Sequence, residues 1–225
     1  MTVDFVSTAA GSCLIEMGGT RVICTASITP GVPKWREGSG KGWVTAEYGM
    51  LPASTGRRKS RPGVKPDSRG IEIQRLIGRV LRSVVRMDRL GENTLSIDCD
   101  VLEADGGTRC ASITGAWVAM ACAVDRGLAD GLFKKGALTG QVAAVSVGIV
   151  DGTCLCDLCY AEDSSADVDM NVAMNSGRKF IELQASSEGA PFTGDEFDTM
   201  RGLATRAIGR LLRMQKETLT EWRRS

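Results

Sequence analysis

NTLSIDCDVLEADGGTRCASITGA, residues 93 to 116, reads as a strand, a tight glycine turn and the start of a helix. Leu95, Ile97, Cys99 and Val101 alternate with Ser96, Asp98 and Asp100, so one face of the strand is apolar and the other polar. The strand stops at Asp105-Gly106-Gly107, where two glycines let the backbone turn sharply and approach a ligand with no Cβ in the way. Thr108, Arg109 and Ser112 follow where the next helix opens. Backbone N–H groups at a helix start, a hydroxyl and a guanidinium can converge there on one negatively charged group, and the helix dipole adds to the field. Taken alone, Gly-Gly-Thr-Arg also fits an ordinary strand-to-helix turn with a surface arginine. What weighs for an anion seat is the rest of the chain.

Outward on the N-terminal side, the spacing predicts a helix from about Ile71 to Leu90, with Ile73, Leu76, Ile77, Val80, Leu81, Val84 and Val85 as its buried stripe and Gly91 ending it. At about 100° per residue, Arg75, Arg79, Arg82, Arg86 and Arg89 fall in one band on the opposite side, with only Glu72 near its edge. Like charges at i,i+4 repel, so such a band asks for an anionic partner, most simply a chain of phosphates. Before it, ASTGRRKSRPGVKPDSRG (53 to 70) is nearly free of apolar side chains and basic through Arg57, Arg58, Lys59, Arg61, Lys65 and Arg69. It reads either as a solvated loop or as an arm that grips a phosphate backbone. Earlier still, residues 11 to 29 alternate as a hairpin about Gly18-Gly19. A Pro/Gly-rich loop (30 to 42) then leads to a strand from Trp43 to Tyr48.

On the C-terminal side, a helix from about Ala111 to Leu132 is rich in small residues and suits close packing. Val142 to Val150 is almost unbrokenly apolar, so a central strand covered on both sides is expected. Asp151-Gly152 turns it into a strand over Thr153 to Tyr160, and a further pair of strands runs over Val172 to Met174 and Phe180 to Gln184. Thr193 and Glu196 form a capping box that opens a last helix reaching about Leu219. Strand runs alternating with three long helices indicate an α/β or α+β domain, a mixed sheet with packed helices. Between these strands lies AEDSSADVDMN (161 to 171). Its Asp163, Asp167 and Asp169 are expected just past a strand end, among small residues that would not block a ligand. Clustered carboxylates hold a divalent cation, divide into an acid and a base, or form a solvated acidic loop. An anion seat with a carboxylate cluster is what phosphoryl or nucleotidyl transfer requires, and no P-loop is present.

Composition narrows the chemistry. The 225 residues contain no histidine, which excludes Ser-His-Asp and Cys-His catalysis and leaves acid/base work to carboxylates, Cys, Lys or Tyr. A net charge of +1 means that any nucleic-acid contact must come from a local basic surface. The 8 cysteines sit mostly inside apolar stretches, as small buried hydrophobes do, and Cys154, Cys156 and Cys159 fit core packing better than a zinc cluster. With no apparent signal peptide and no apolar run near the ~20 residues of a membrane span, a reducing cytoplasm is expected.

Five blocks closely resemble bacterial ribonuclease PH: GWVTAEYGMLP (42 to 52), RGIEIQRLIGR (69 to 79), LGENTLSIDCDVLEADGGTRCASITG (90 to 115), AAVSVGIV (143 to 150) and EDSSADVDMNVAM (162 to 174). The resemblance implies one ribonuclease PH-like domain over residues 1–225, of the ribosomal protein S5 domain 2-like kind. It also implies a phosphorolytic 3′-to-5′ exoribonuclease that trims transfer RNA precursors with inorganic phosphate as co-substrate and Mg²⁺ as cofactor. It further implies a cytoplasmic homohexamer, a trimer of dimers, with neither DNA nor a membrane as partner. By the same resemblance Arg69, Gly107, Thr108 and Arg109 bind phosphate. Asp163 and Asp169 are catalytic and hold the metal, and Arg75, Arg79 and Arg82 lie along the RNA path. Arg86 and Arg89 extend that stripe on physical grounds only. The family's opening stretch, with its Arg-x-Asp-Gly-Arg motif, has no counterpart before Met1: either the start is placed too far downstream, or only Thr2 to Val6 stand for the first strand and a partly open sheet edge and a weakened ring are expected. A non-catalytic RNA-binding subunit of an exosome-like ring is the alternative, and a metal-dependent hydrolytic nuclease a third reading.

Overall fold

The structure, a computed structural model, describes residues 1–60 and 67–224. Arg61 and Lys65 of the basic loop lie outside the described residues. Among the described residues are two sheets and four α-helices, α+β as expected, with two sheets where a single mixed one is expected from the sequence. The first sheet takes β1 (Thr2–Val3), β2 (Gly11–Met17), β3 (Thr20–Pro30), β4 (Trp43–Met50) and β5 (Asn93–Glu103) in the order β1-β2-β3-β5-β4. It is mixed, because β4 runs parallel to β5 and the other pairs are antiparallel. The second sheet is antiparallel throughout, with β6 (Val142–Val150), β7 (Thr153–Cys156), β8 (Val168–Asn175) and β9 (Phe180–Ser187) in the order β7-β6-β8-β9.

Between the sheets lies α2 (Thr108–Ala129), which packs on β2, β3 and β5 on one side and on β6 and β8 on the other. Its sequence is apolar and small nearly all round, as a helix enclosed on both sides requires. Beside it α1 (Ser68–Arg82) covers β4, and α4 (Gly194–Trp222) covers the outer face of the second sheet. The period-two pattern of β6 and β8 divides accordingly. Ala143, Val145, Val147, Val168, Met170, Val172 and Met174 form a core with Met200, Ala204 and Ile208 of α4, whereas Val142, Ala144 and Ala173 join the core around α2. The capping box is formed as expected, Glu196 N donating to Thr193 Oγ1 and Thr193 N donating to Glu196 Oε2.

Several boundaries differ from the sequence reading, the two ends of α1 among them. Asp67 caps α1 by accepting from Arg69 N, so the helix opens at Ser68 and not Ile71. It also ends early, at Arg82, because the chain after Ser83 pairs with another segment: Val85 bridges Leu138, Thr139 N donates to Val84 O and Arg86 N to Ala137 O. Arg86 and Arg89 therefore leave the helix band and both pair with Asp88.

The layers are pinned by one fully buried polar side chain, Gln215 of α4. Its Nε2 donates to Thr114 O of α2 at 2.9 Å and to Val142 O of β6 at 2.8 Å, and its Oε1 accepts from Gln141 Nε2 at 3.3 Å. Replacing Gln215 by Leu strands these groups in the interior. The expected loss is about 2–4 kcal/mol of unfolding free energy in a urea titration, and a loss below about 0.5 kcal/mol would show that the amide does not hold the layers.

Candidate active site

A cavity of about 860 Å³ opens at the N-terminal end of α2 and takes walls from both halves of the chain. All six residues expected to bind phosphate or metal line it: Arg69, Gly107, Thr108, Arg109, Asp163 and Asp169. Arg75, Arg79 and Arg82 do not line it.

The glycine turn is positioned by backbone chemistry. Gly106 and Gly107 have φ of +78° and +56°, in the left-handed region that glycine enters at little cost. A Cβ on Gly106 would fall on the Leu158 carbonyl oxygen, so the close approach of the turn to the 158–159 segment requires a glycine there. Thr20 Oγ1 donates to Gly106 O at 2.6 Å and accepts from Asp105 N at 2.8 Å, while Asp105 Oδ1 accepts from Tyr160 N at 3.0 Å. The same turn thus joins the first sheet to α3 (Tyr160–Asp163), the helical turn that ends in Asp163. Gly107 is the N-cap of α2 and supplies no side-chain cap, so the first N–H groups of this long helix lack intrahelical partners. Thr108 Oγ1 shares a 2.9 Å hydrogen bond with the Tyr48 hydroxyl of β4. Burial pushes the Tyr48 phenol up, with the Thr108 bond and the charges of Arg69 and Arg109 acting the other way.

The two guanidiniums reach the cavity from different elements, Arg69 from the first turn of α1 and Arg109 from that of α2. Arg109 is mostly buried, donates to Gln184 Oε1 of β9 at 3.2 Å and stands 3.8 Å from the exposed Glu72 carboxylate. The acidic wall is narrower than the sequence cluster suggested. Glu162 is engaged at its own helix start, accepting from Cys159 N, and Asp167 precedes β8, exposed, beside Gly189. Asp163 and Asp169 remain, the first closing α3 and the second inside β8, so the pair is not simply past a strand end. Alternation along β8 turns Asp169 and Asn171 to the α2 side. Asp169 Oδ2 accepts from Asn171 Nδ2 at 3.1 Å, and Asn171 Oδ1 accepts from the Cys110 thiol. Asp169 Oδ1 is buried without a partner among the described residues. Burial, then the charge of Asp163, pushes the Asp169 carboxyl up; Arg109, Asn171 and Arg69 pull it down.

Tyr48, Ser146, Tyr160 and Asn171 also line the cavity, as do Arg57 and Lys59 of the basic loop. Sequence reasoning gave the first four no role. Tyr48 and Asn171 were legible only as members of specific blocks, and Ser146 only as the one hydroxyl in the run VAAVSVGIV.

Models of the 3′ exoribonuclease family match the chain twice, domain 1 over residues 1–124 and domain 2 over residues 140–207. Ribonuclease PH of Neisseria gonorrhoeae is 52% identical over 98% of this chain and 92% of its own length. That of Neisseria meningitidis serogroup C is also 52% identical over the same shares. The chain belongs to the ribonuclease PH family. Two solved structures under 25% identical share the fold: rice (Oryza sativa) Rrp46, with a TM-score of 0.76, 17% identity and coverage of 97% of this chain and 92% of that one, and a chain of the Archaeoglobus fulgidus exosome with RNA bound to the active site, with a TM-score of 0.75, 21% identity and coverage of 93% and 84%.

The glycine turn gives this ribonuclease PH family member a sharp test. Gly106→Ala forces a left-handed φ on alanine and drives its Cβ into Leu158, so a loss of about 3 kcal/mol or more in unfolding free energy is expected by chemical denaturation. Gly18→Ala, also at positive φ but with nothing near its Cβ, should lose only about 1 kcal/mol.

Proposed function

We propose that Arg69, Arg109 and the Gly107–Thr108 turn hold inorganic phosphate opposite Asp163 and Asp169. The chain is a phosphorolytic 3′-to-5′ exoribonuclease that acts on the 3′ ends of transfer RNA precursors and releases nucleoside diphosphates. The observation that carries this reading is the single cavity in which two arginines and a helix start stand with two carboxylates. A non-catalytic ring subunit has no use for that combination.

In this reading the free N–H groups of α2 and the Arg109 and Arg69 guanidiniums orient one phosphate for in-line attack on the 3′-terminal phosphodiester. An oxygen of the held phosphate bonds to the scissile phosphorus as its bond to the 3′ oxygen of the penultimate nucleotide breaks. A nucleoside diphosphate leaves, with an RNA one nucleotide shorter, and the 3′ oxygen takes up a proton. Asp163 and Asp169 would hold Mg²⁺: the donors are hard carboxylate oxygens, and Asp169 Oδ1 is buried without a partner among the described residues. Such an ion supplies charge neutralisation at the transferring phosphoryl group. One of the two aspartates would help to protonate the leaving 3′ oxygen.

Arg69 marks where the RNA would leave the cavity. From it α1 carries Arg75, Arg79 and Arg82 about 9, 15 and 20 Å further along the axis, at 1.5 Å per residue. A single strand would lie along this flank and the basic loop, held through phosphates and not read by sequence. We propose further that residues 1–225 work as one domain, since the cavity needs both sheets, and that the protein is a cytoplasmic homohexamer, a trimer of dimers. The ribonuclease PH resemblance supports the hexamer; no helix among the described residues is long and apolar enough to cross a membrane.

The test is product analysis on a transfer RNA bearing extra 3′ nucleotides, with Mg²⁺, in the presence and absence of inorganic phosphate. Nucleoside diphosphates are expected only with phosphate; monophosphates released without it would make the protein a hydrolytic nuclease. Arg109→Ala should raise the KM for phosphate about tenfold or more while RNA binding persists, and unchanged phosphate dependence would refute the seat.

A further inference from the structure

Ser146 stands on β6 in the row of Val142 and Ala144, on the side that packs against α2, where strand alternation calls for another apolar residue. It is 2% exposed, and its Oγ has no hydrogen-bond partner among the described residues. An unpaired hydroxyl at such a depth is disfavoured unless a group from outside the chain completes it. Ser146 lines the cavity beside Gly107, Thr108 and Arg109, and a Cβ built on Gly107 would lie 3.4 Å from its Oγ. The hydroxyl therefore faces the residue that begins α2. Asn171, its cross-strand neighbour on β8, is engaged with Asp169 and Cys110.

We propose that Ser146 is a further ligand of the phosphate at the N-terminus of α2, donating its hydroxyl hydrogen to a phosphate oxygen from the β6 side. This rests on the phosphate seat argued above. The chemistry suits the place. A cation on β6 would pair with Asp163 and Asp169, and a carboxylate would repel the anion. A neutral donor can hold a phosphate oxygen without doing either.

Ser146→Ala tests the assignment, because it removes a hydroxyl that the folded chain leaves unpaired. Without phosphate, the thermal midpoint of the variant should equal or exceed that of the wild type. With phosphate, its rise in midpoint should be smaller, calorimetric binding of inorganic phosphate should weaken about tenfold, and the KM for phosphate should rise by a similar factor while the KM for RNA stays within about twofold. Wild-type phosphate affinity in the variant would overturn the assignment, and so would a midpoint well below wild type without phosphate, the mark of a structural hydroxyl. Arg109→Ala in parallel separates the two levels. If it weakens phosphate and Ser146→Ala does not, only the Ser146 assignment fails. If neither does, the seat itself is wrong.

Discussion

A helix enclosed on nearly every side can meet a ligand only at its ends. The side chains of α2 are taken up by the two sheets, and its interior amides are bonded along the helix. Only the first turn offers free donors. A Ser, Thr, Asp or Asn at the N-cap would normally satisfy them, and an acidic cap would also oppose the positive end of the dipole. Gly107 does neither. Relative to a hydroxyl cap the glycine costs only a few tenths of a kcal/mol, and it leaves the field and the donors of a 22-residue buried helix directed into the cavity.

Neutral groups hold the charged ones in this cavity. The Arg109 guanidinium is oriented by the Gln184 carbonyl oxygen, with Glu72 longer and more exposed; Asp169 is oriented by the Asn171 amide, itself fixed by a thiol. A close carboxylate on Arg109, or an arginine on Asp169, would fix them more strongly but would neutralise them for any incoming group. Amides fix direction and leave charge. Both holders come from the second sheet, on β8 and β9, so the first half of the chain presents the glycine turn while the second aims the charges around it.

Much of this was legible because it is local. The strand, turn and helix over 93 to 116 follow from alternation, two glycines and an apolar run. The hairpin, the capping box and the buried central strand follow in the same way. What escaped is what depends on distant partners. The end of α1 is set by a pairing between residues 84–86 and 137–139, and no periodicity within the helix reports that. Asp167 and Asp169 look alike by spacing, and only the point where β8 begins separates them: Asp167 precedes the strand and stays exposed beside Gly189, whereas Asp169 lies inside it and lines the cavity. Asn171 and Gln184 are ordinary polar residues until the second sheet places them beside a carboxylate and a guanidinium.

The arginine band of α1 shows how far a charge pattern can be read. Repulsion along a helix face does imply that the cations need something, but that need not be an anion. Arg82 lies 4.6 Å over the Trp43 ring and donates to Val44 O, so its demand is met by an aromatic face and a carbonyl. Burial, and then the neighbouring Arg79, lower its pKa. Arg79, itself exposed, pairs with the half-buried Glu182 at 3.1 Å, a pair of modest strength that a phosphate can displace. Arg75 is exposed on the same flank, nearest to Arg69 and the cavity. The band is therefore graded: the arginine closest to the cavity is the freest to meet a phosphate, and the furthest one contributes most to holding β4 and α1 together.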